Sequence, residues 1–245
     1  MNYYLFTIEY DGTDFCGWAK QKGQSTIQGE IESALSRVAR NSTFRVVGAS
    51  KTDSGVHAND QKAWVELDFK PNLPGFLKAL NNALPLGINI KNAKEIEQSY
   101  RVRNCIQKTY HYNLNFGDDD VFKNRYWFKP KYHIDLDKLT DCLELFVGYH
   151  DFKNFSGLKG EEFNIIESKR IVDEIKIVTI GELVKIVFKA KGFIRYQIRM
   201  MMGAALAYAT GKTDLNTVKD VLNCKREKLP FMAEAKGLTL YNIQY

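Results

Sequence analysis

The sequence has few of the residues that build metal sites, disulfide frameworks and membrane spans. It contains four cysteines and four histidines among 245 residues, and no two cysteines form a Cys-x-x-Cys pair. Such spacing favours neither a metal site nor a set of disulfides. No stretch approaches the roughly 18 apolar residues of a membrane span, and the first residues lack the layout of a signal peptide. We therefore expect a cytoplasmic protein with no metal and no membrane segment.

What is present is the composition of an ordinary globular protein with an excess of positive charge. The apolar fraction is 44% and the charged fraction 26%, which argues against disorder. Lysine and arginine total 35 against 29 acidic residues, so the formal charge is +6. A basic surplus favours phosphate-bearing partners such as nucleic acid. The length allows one large domain or two packed halves.

The first half of the chain alternates strand and helix patterns in the order β-α-β-β-α-β. Thr26 is the expected N-cap of the first helix, and Pro85 is the expected end of the second. This order is typical of a split unit in which two helices cover one face of an antiparallel sheet. The predicted strands are 3–9, 43–47, 61–69 and 88–96, and the predicted helices are 26–39 and 71–85.

The second half repeats this rhythm with a different sequence. We predict an α+β fold of two ferredoxin-like halves, 1–104 and 105–245, which form a mixed, largely antiparallel sheet with helices on one face and the catalytic cleft on the other. The predicted elements are a strand at 107–116, a helix at 135–147, a hairpin at 169–178 and 182–190 that turns at Gly181, helices at 193–211 and 214–222, and a last strand at 238–245.

A glycine-framed turn carries the most informative carboxylate of the chain. Residues 48–58 read GASKTDSGVHA and place Asp53 two residues after Lys51 and two before Gly55. Glycine allows close approach of another backbone or a ligand, so Asp53 is a candidate catalytic group. The alternative is a turn residue that caps its own backbone.

A basic and aromatic segment lies between the two halves. Residues 118–132 read DDDVFKNRYWFKPKY, which begins acidic and then interleaves cations with aromatic rings. Cations can hold phosphates while aromatic faces stack on bases. The segment is therefore a candidate nucleic-acid contact, and its alternative is a solvated connection.

Five motifs in one order give the chain a resemblance to a known family. They are YDGTDFCGWAKQ at 10–21, KTDSGVHA at 51–58, KTYHY at 108–112, a late segment with Arg199 and Gly203, and GLTL at 237–240. In this order and spacing they resemble the tRNA pseudouridine synthase A family. The resemblance covers nearly the whole chain, from Tyr10 to Tyr245.

The resemblance implies isomerisation of uridine in tRNA without a cofactor. Asp53 matches the family's catalytic aspartate, and whether it attacks the substrate as a nucleophile or removes a ribose proton stays open. Tyr110 matches the tyrosine that stacks on the target base. Arg199 lies in an apolar helix, where a buried guanidinium needs a partner, and Asp53 is the partner consistent with the family. We expect Arg195 to face RNA, and His57 to orient the turn by hydrogen bonding.

The chain departs from the family pattern beside the catalytic position. Lys51 stands where the family has arginine. A planar guanidinium that can bind phosphate through two hydrogen bonds is thus replaced by an ammonium group that acts as a point charge. Met200 replaces the asparagine that usually follows the late arginine. The chemistry is expected to persist, while the grip on RNA and the choice of uridines are open.

The resemblance also implies a substrate site and an assembly. The family acts at positions 38, 39 and 40 of the anticodon stem-loop, as a homodimer. Three alternatives are a synthase of the same family acting on other tRNA uridines, an RNA-binding protein without chemistry, and a hydrolase with Asp53 as general base. The hydrolase lacks a second carboxylate or a metal set at usable spacing.

Overall fold

The computed structural model describes all residues from Met1 to Tyr245 and divides into two compact units. The first unit contains Met1–Ile106 and Thr239–Tyr245, and the second contains Gln107–Leu238. Both combine helices with mostly antiparallel strands, so the predicted α+β class is confirmed. No helix has the length and apolarity needed to cross a bilayer.

The first unit has the element order β-α-β-β-α-β, followed much later by one further strand. Strands in the order β4-β1-β3-β2 pair antiparallel, and β10 pairs parallel with β3. The elements are β1 (Asn2–Tyr10), α1 (Ile27–Val38), β2 (Phe44–Gly48), β3 (His57–Leu67), α2 (Leu73–Ala83), β4 (Ile88–Glu95) and, from the chain's end, β10 (Leu238–Gln244).

Helix α1 forms where the sequence pattern predicts it. The side-chain oxygen of Thr26 accepts a hydrogen bond from the Gly29 amide at 3.2 Å, which satisfies one of the free N–H groups of the first turn. The apolar residues three and four positions apart are fully buried. Those buried residues are Ile27, Ile31, Ala34 and Leu35.

The second unit contains two sets of paired strands. Strands β5, β9 and β8 pair antiparallel in that order, and β6 pairs antiparallel with β7 separately from them. The elements are β5 (Gln107–Asn115), α3 (Leu136–Glu144), β6 (Gly148–Asp151), α4 (Glu162–Ile165), β7 (Lys169–Val172), β8 (Glu174–Ile180), β9 (Leu183–Ala190), α5 (Gln197–Ala209) and α6 (Leu215–Leu222).

Three features differ from the sequence-based expectation. The strand predicted at 169–178 is two strands. Residues 169–172 pair with β6, and the strand is interrupted at Asp173. Helix α5 begins at Gln197 rather than 193, because Tyr196 has φ +66° and cannot continue a right-handed helix. Strand β10, assigned to the second half by sequence, pairs with β3 and lies almost wholly in the first unit. The equivalence of two ferredoxin-like halves stays a prediction.

Candidate active site

Asp53 lies in a turn between β2 and β3 of the first unit. Its side chain is partly exposed, Lys51 is exposed, and Thr52 between them is buried. The turn closes with a hydrogen bond from the Val56 amide to the Asp53 carbonyl at 3.2 Å, and Gly55 has φ +75°. A positive φ favours glycine, which explains this residue two positions after the carboxylate.

The loop 10–18 braces this turn by hydrogen bonds. The Trp18 amide donates to the Thr52 carbonyl at 3.1 Å, and the Gly55 amide donates to the Phe15 carbonyl at 3.3 Å. The hydroxyls of Tyr10 and Thr52 are 2.7 Å apart and buried. The backbone on both sides of Asp53 is therefore held by residues about forty positions earlier in the chain.

Two glycines of the bracing loop allow this close packing. A Cβ at Gly12 would collide with the Val56 carbonyl. A Cβ at Gly17, where φ is +83°, would lie 2.7 Å from the Thr52 carbonyl oxygen. The motifs at 10–21 and 51–58 therefore pack backbone against backbone, which only a residue without a side chain allows at these two positions.

His57 orients the turn by hydrogen bonding, as the sequence analysis predicts. Its ring is buried, and Nδ1 accepts from the Gly12 amide at 3.1 Å. The carboxylate of Asp11 lies 3.2 Å from the same Nδ1 and accepts from the Thr13 amide and hydroxyl at 3.0 and 2.6 Å. Asp11 therefore shapes its own turn.

Tyr110 is on β5 of the second unit. It stands opposite Phe188 of β9 and is 8% exposed, so most of its ring is covered by protein. Its centroid lies 5.4 Å from that of Phe193 in an edge-to-face arrangement. Such a contact fixes the ring plane. A ring fixed in this way suits stacking, although the predicted contact with a base stays a prediction.

Arg199 ties helix α5 to the segment 231–234. Its Nε donates to the Ala233 carbonyl at 2.9 Å, and its own carbonyl accepts from the Ala233 amide at 2.9 Å. One turn later, a Cβ at Gly203 would lie within 2.7 Å of the backbone of Met232. The guanidinium carbon is 5.7 Å from the centroid of Tyr196. The predicted pairing of Arg199 with Asp53, a residue of the other unit, stays a prediction.

Arg195 has a carboxylate partner within its own unit. Its guanidinium donates to both oxygens of Glu162, at 3.0 and 2.7 Å, and to the carbonyl of Gly157. The hydrogen bond from Arg195 lowers the pKa of Glu162 below its ordinary value. Part of the positive charge is thus compensated, and the expectation that Arg195 faces RNA stays a prediction.

The segment 118–132 is more ordered than a simple solvated connection. Residues Lys123–Arg125 form a 3-10 turn, and Phe128 exchanges backbone hydrogen bonds of 2.9 Å with Asn113 and Asn115 of β5. Lys123 and Lys129 pair with the acidic start of the segment, at 3.4 Å from Asp120 and 3.3 Å from Asp119. Its acidic residues therefore compensate two of the cations predicted to contact nucleic acid.

Sequence reasoning missed Gln61 as a residue that supports the site. Its side chain is fully buried, where Nε2 donates to the Ser50 carbonyl at 2.8 Å and Oε1 accepts from the Ser50 amide at 3.2 Å. This pair of bonds holds the start of the turn that carries Asp53. Its only sequence signal was a polar residue at an inward-facing strand position. No group of three or more His, Cys, Asp or Glu side chains is placed to hold a metal.

Comparison with known proteins identifies relatives of this chain. A family model described as tRNA pseudouridine synthase matches residues 7–103 and 143–245. A protein of Mesoplasma florum named tRNA pseudouridine synthase A is 44% identical, over 99% of this chain and 98% of its own. Relatives of that name in Mycoplasma mycoides subsp. mycoides and Brevibacillus brevis are 42% and 35% identical, over 98% and 97% of this chain and 97% of each of their own.

Solved structures add only a weak likeness. One chain of a Cbf5-Nop10-Gar1 complex matches 83% of this chain and 45% of its own, at 13% identity and a TM-score of 0.36. A likeness of that strength supports no conclusion about this chain.

These matches define the chain as an enzyme that modifies RNA, and more narrowly as an isomerase. It belongs to the tRNA pseudouridine synthase family. The resemblance to tRNA pseudouridine synthase A is thereby confirmed. The matched ranges include Lys51, Asp53, Arg195 and Arg199, whereas Tyr110 lies between them.

Proposed function

We propose that the protein converts uridine to pseudouridine at positions 38, 39 and 40 in the anticodon stem-loop of tRNA. The observation that carries the proposal is the braced turn at Asp53 in a chain that matches proteins named tRNA pseudouridine synthase A over nearly its full length. The choice of positions comes from the resemblance, which five ordered motifs support.

The reaction exchanges one bond to the ribose for another. The bond from C1′ to N1 breaks, the uracil turns, a bond from C1′ to C5 forms, C5 loses a proton and N1 gains one. Asp53 acts on the ribose or the base, and the braced turn supports this role because it fixes the backbone on both sides of the carboxylate. No redox step is involved, so the residues need no cofactor.

The remaining residues position the RNA in this proposal. Tyr110 stacks on the target uracil, which has to leave the helical stack before it reacts. Arg199 pairs with Asp53 and keeps it ionised. Lys51 and Arg195 bind the RNA backbone, and the exposure of Lys51 supports its part. The protein works as a homodimer in the cytoplasm, where its tRNA substrate is found.

Mapping pseudouridine in a defined transcript tests the choice of positions. Unmodified tRNA with uridine at 38, 39 and 40 is incubated with purified protein, and pseudouridine is located by carbodiimide labelling and primer extension. We expect stops at these positions, and none in a matched transcript with cytidine there. Pseudouridine elsewhere, with 38 to 40 unchanged, would contradict the proposed positions.

Light scattering of the purified protein tests the proposed homodimer. A measured mass equal to that of the monomer would exclude it.

A further inference from the structure

A strongly basic cavity lies in the second unit. Its volume is 610 Å³, within the range of about 300–1,000 Å³ typical of ligand sites. We call it the basic pocket. It is lined by four cations, one carboxylate and three other residues, which are Lys153, Lys225, Arg226, Lys228, Glu227, Asn154, Phe163 and Cys224.

The four cations of the basic pocket lack carboxylate partners. Lys153, Lys225 and Lys228 form no ion pair, and the Arg226 guanidinium only reaches the Thr217 hydroxyl at 3.5 Å. Glu227 lines the pocket but is exposed and pairs with none of them. Four cations against one lining carboxylate leave an excess of positive charge, which attracts anions.

The surroundings of Lys228 disfavour its protonated form. Its pKa is lowered, first by burial and then by the neighbouring cations Lys159, Arg195 and Lys153, which outweigh the opposite effect of Glu162. Its ammonium donates to the carbonyls of Ser156 and Leu158, both at 2.9 Å. An ammonium has three hydrogens, so one remains for a ligand.

The pocket has an aromatic wall and a fixed backbone. The nitrogens of Lys153 and Lys228 lie 4.9 and 5.6 Å from the centroid of Phe163. The side chain of Asn154 donates to the Arg226 carbonyl at 2.8 Å, which anchors the loop after α6. The ring of Phe163 therefore helps to hold these two ammonium groups in place, where they can contact phosphate.

We propose that the basic pocket binds backbone phosphates of the tRNA substrate. The inference rests on the proposed function for the identity of the anion and on the uncompensated cations for the place. An RNA supplies the negative charge that the pocket lacks, and its contacts there are to phosphate and independent of sequence. None of the residues that line the pocket is among those assigned to the reacting uridine.

Charge reversal at two exposed lysines tests the assignment. In Lys153→Glu/Lys225→Glu, both altered side chains are exposed, so the fold is expected to persist. We expect the affinity for tRNA to fall about tenfold or more at low salt. The slope of log affinity against log salt should flatten by about one unit for each phosphate that the variant no longer binds. Affinity is measured by filter binding over a series of salt concentrations.

A matched control separates this pocket from a general effect of net charge. Lys94→Glu/Lys176→Glu makes the same change of net charge at two exposed lysines of β4 and β8. We expect less than about a threefold loss of affinity and an unchanged salt slope. Equal losses in the two double variants, or no loss in the first, would overturn the assignment.

Two further arms make the result decisive. Lys153→Gln/Lys225→Gln removes the charges without reversing them, and we expect an intermediate loss of affinity. Because binding needs no turnover, a wild-type protein that binds tRNA through this pocket but forms no pseudouridine contradicts the proposed function and leaves the pocket assignment standing. If the pocket variants all bind tRNA as tightly as the wild type does, the pocket assignment alone is contradicted.

Discussion

At the scale of single residues, the candidate site depends on how firmly each group is held. Asp53 sits between two backbone hydrogen bonds from the loop 10–18, those that Thr52 accepts and Gly55 donates. Arg199 is held through its side chain and its carbonyl by Ala233. Lys51, by contrast, is an exposed side chain at the edge of the turn. The fixed residues suit chemistry and the exposed one suits contact with RNA.

Lys51→Arg is expected to tighten tRNA binding. A guanidinium can contact a phosphate through two parallel N–H groups, whereas an ammonium acts as a point charge. We predict a gain in affinity of about two- to tenfold in direct binding of tRNA. Lys51→Gln is the control and should weaken binding. Identical affinities for the arginine and glutamine variants would show that residue 51 makes no phosphate contact.

At the scale of elements, the turn at Asp53 and the loop 10–18 form one structural piece. Gly17 approaches the Thr52 carbonyl closely, while Gly23 in the same connection has a positive φ and nothing within 4 Å of its position for a Cβ. A substitution at Gly23 therefore tests backbone strain alone, whereas one at Gly17 tests backbone strain together with a steric clash. This difference provides a matched pair of substitutions.

Gly17→Ala is expected to cost more stability than Gly23→Ala. An alanine at Gly23 meets only backbone strain, about 1 kcal/mol. An alanine at Gly17 adds a clash with the turn, for a total of about 2–4 kcal/mol. Urea unfolding measures both. Only the Gly17 variant should also lose pseudouridine formation while it is still folded, and equal effects of the two substitutions would contradict the bracing role of loop 10–18.

The elements also show what could be predicted from sequence. Helix α1 and most strands follow from local periodicity and caps, because those signals lie within about a dozen residues. The bracing of Asp53 could not be derived, since its contacts join residues about forty positions apart, as between Gly12 and His57. The hydrogen bond from Arg199 to the Ala233 carbonyl could not be derived either, because Ala233 lies in a segment without periodicity.

At the scale of the whole molecule, pH affects stability through a half-buried histidine. His111 on β5 has its pKa lowered from 6.5 to about 4, first by burial and then by the nearby Lys185. The folded protein therefore binds this proton less readily than the unfolded chain. The contribution of the neutral ring is present above pH 6.5 and is lost as the pH falls towards 4.

His111→Gln should remove this part of the pH dependence. The substituted side chain is neutral at every pH, so the stability of wild type relative to the variant should fall between pH 7 and pH 4. The expected change is on the order of 1–2 kcal/mol, because solvent screens a half-buried ring. Urea unfolding at several pH values measures the difference. A constant difference across this range would show that His111 titrates normally.

The central claim is that this chain forms pseudouridine in tRNA by means of Asp53. Release of tritium from tRNA labelled at uracil C5 tests it most directly, because that hydrogen is lost only when C5 bonds to the ribose. Wild type should release tritium. Asp53→Asn should still bind tRNA, but it should release tritium at least about a thousandfold more slowly. Normal release by the asparagine variant, or none by a wild-type protein that binds tRNA, would contradict the account.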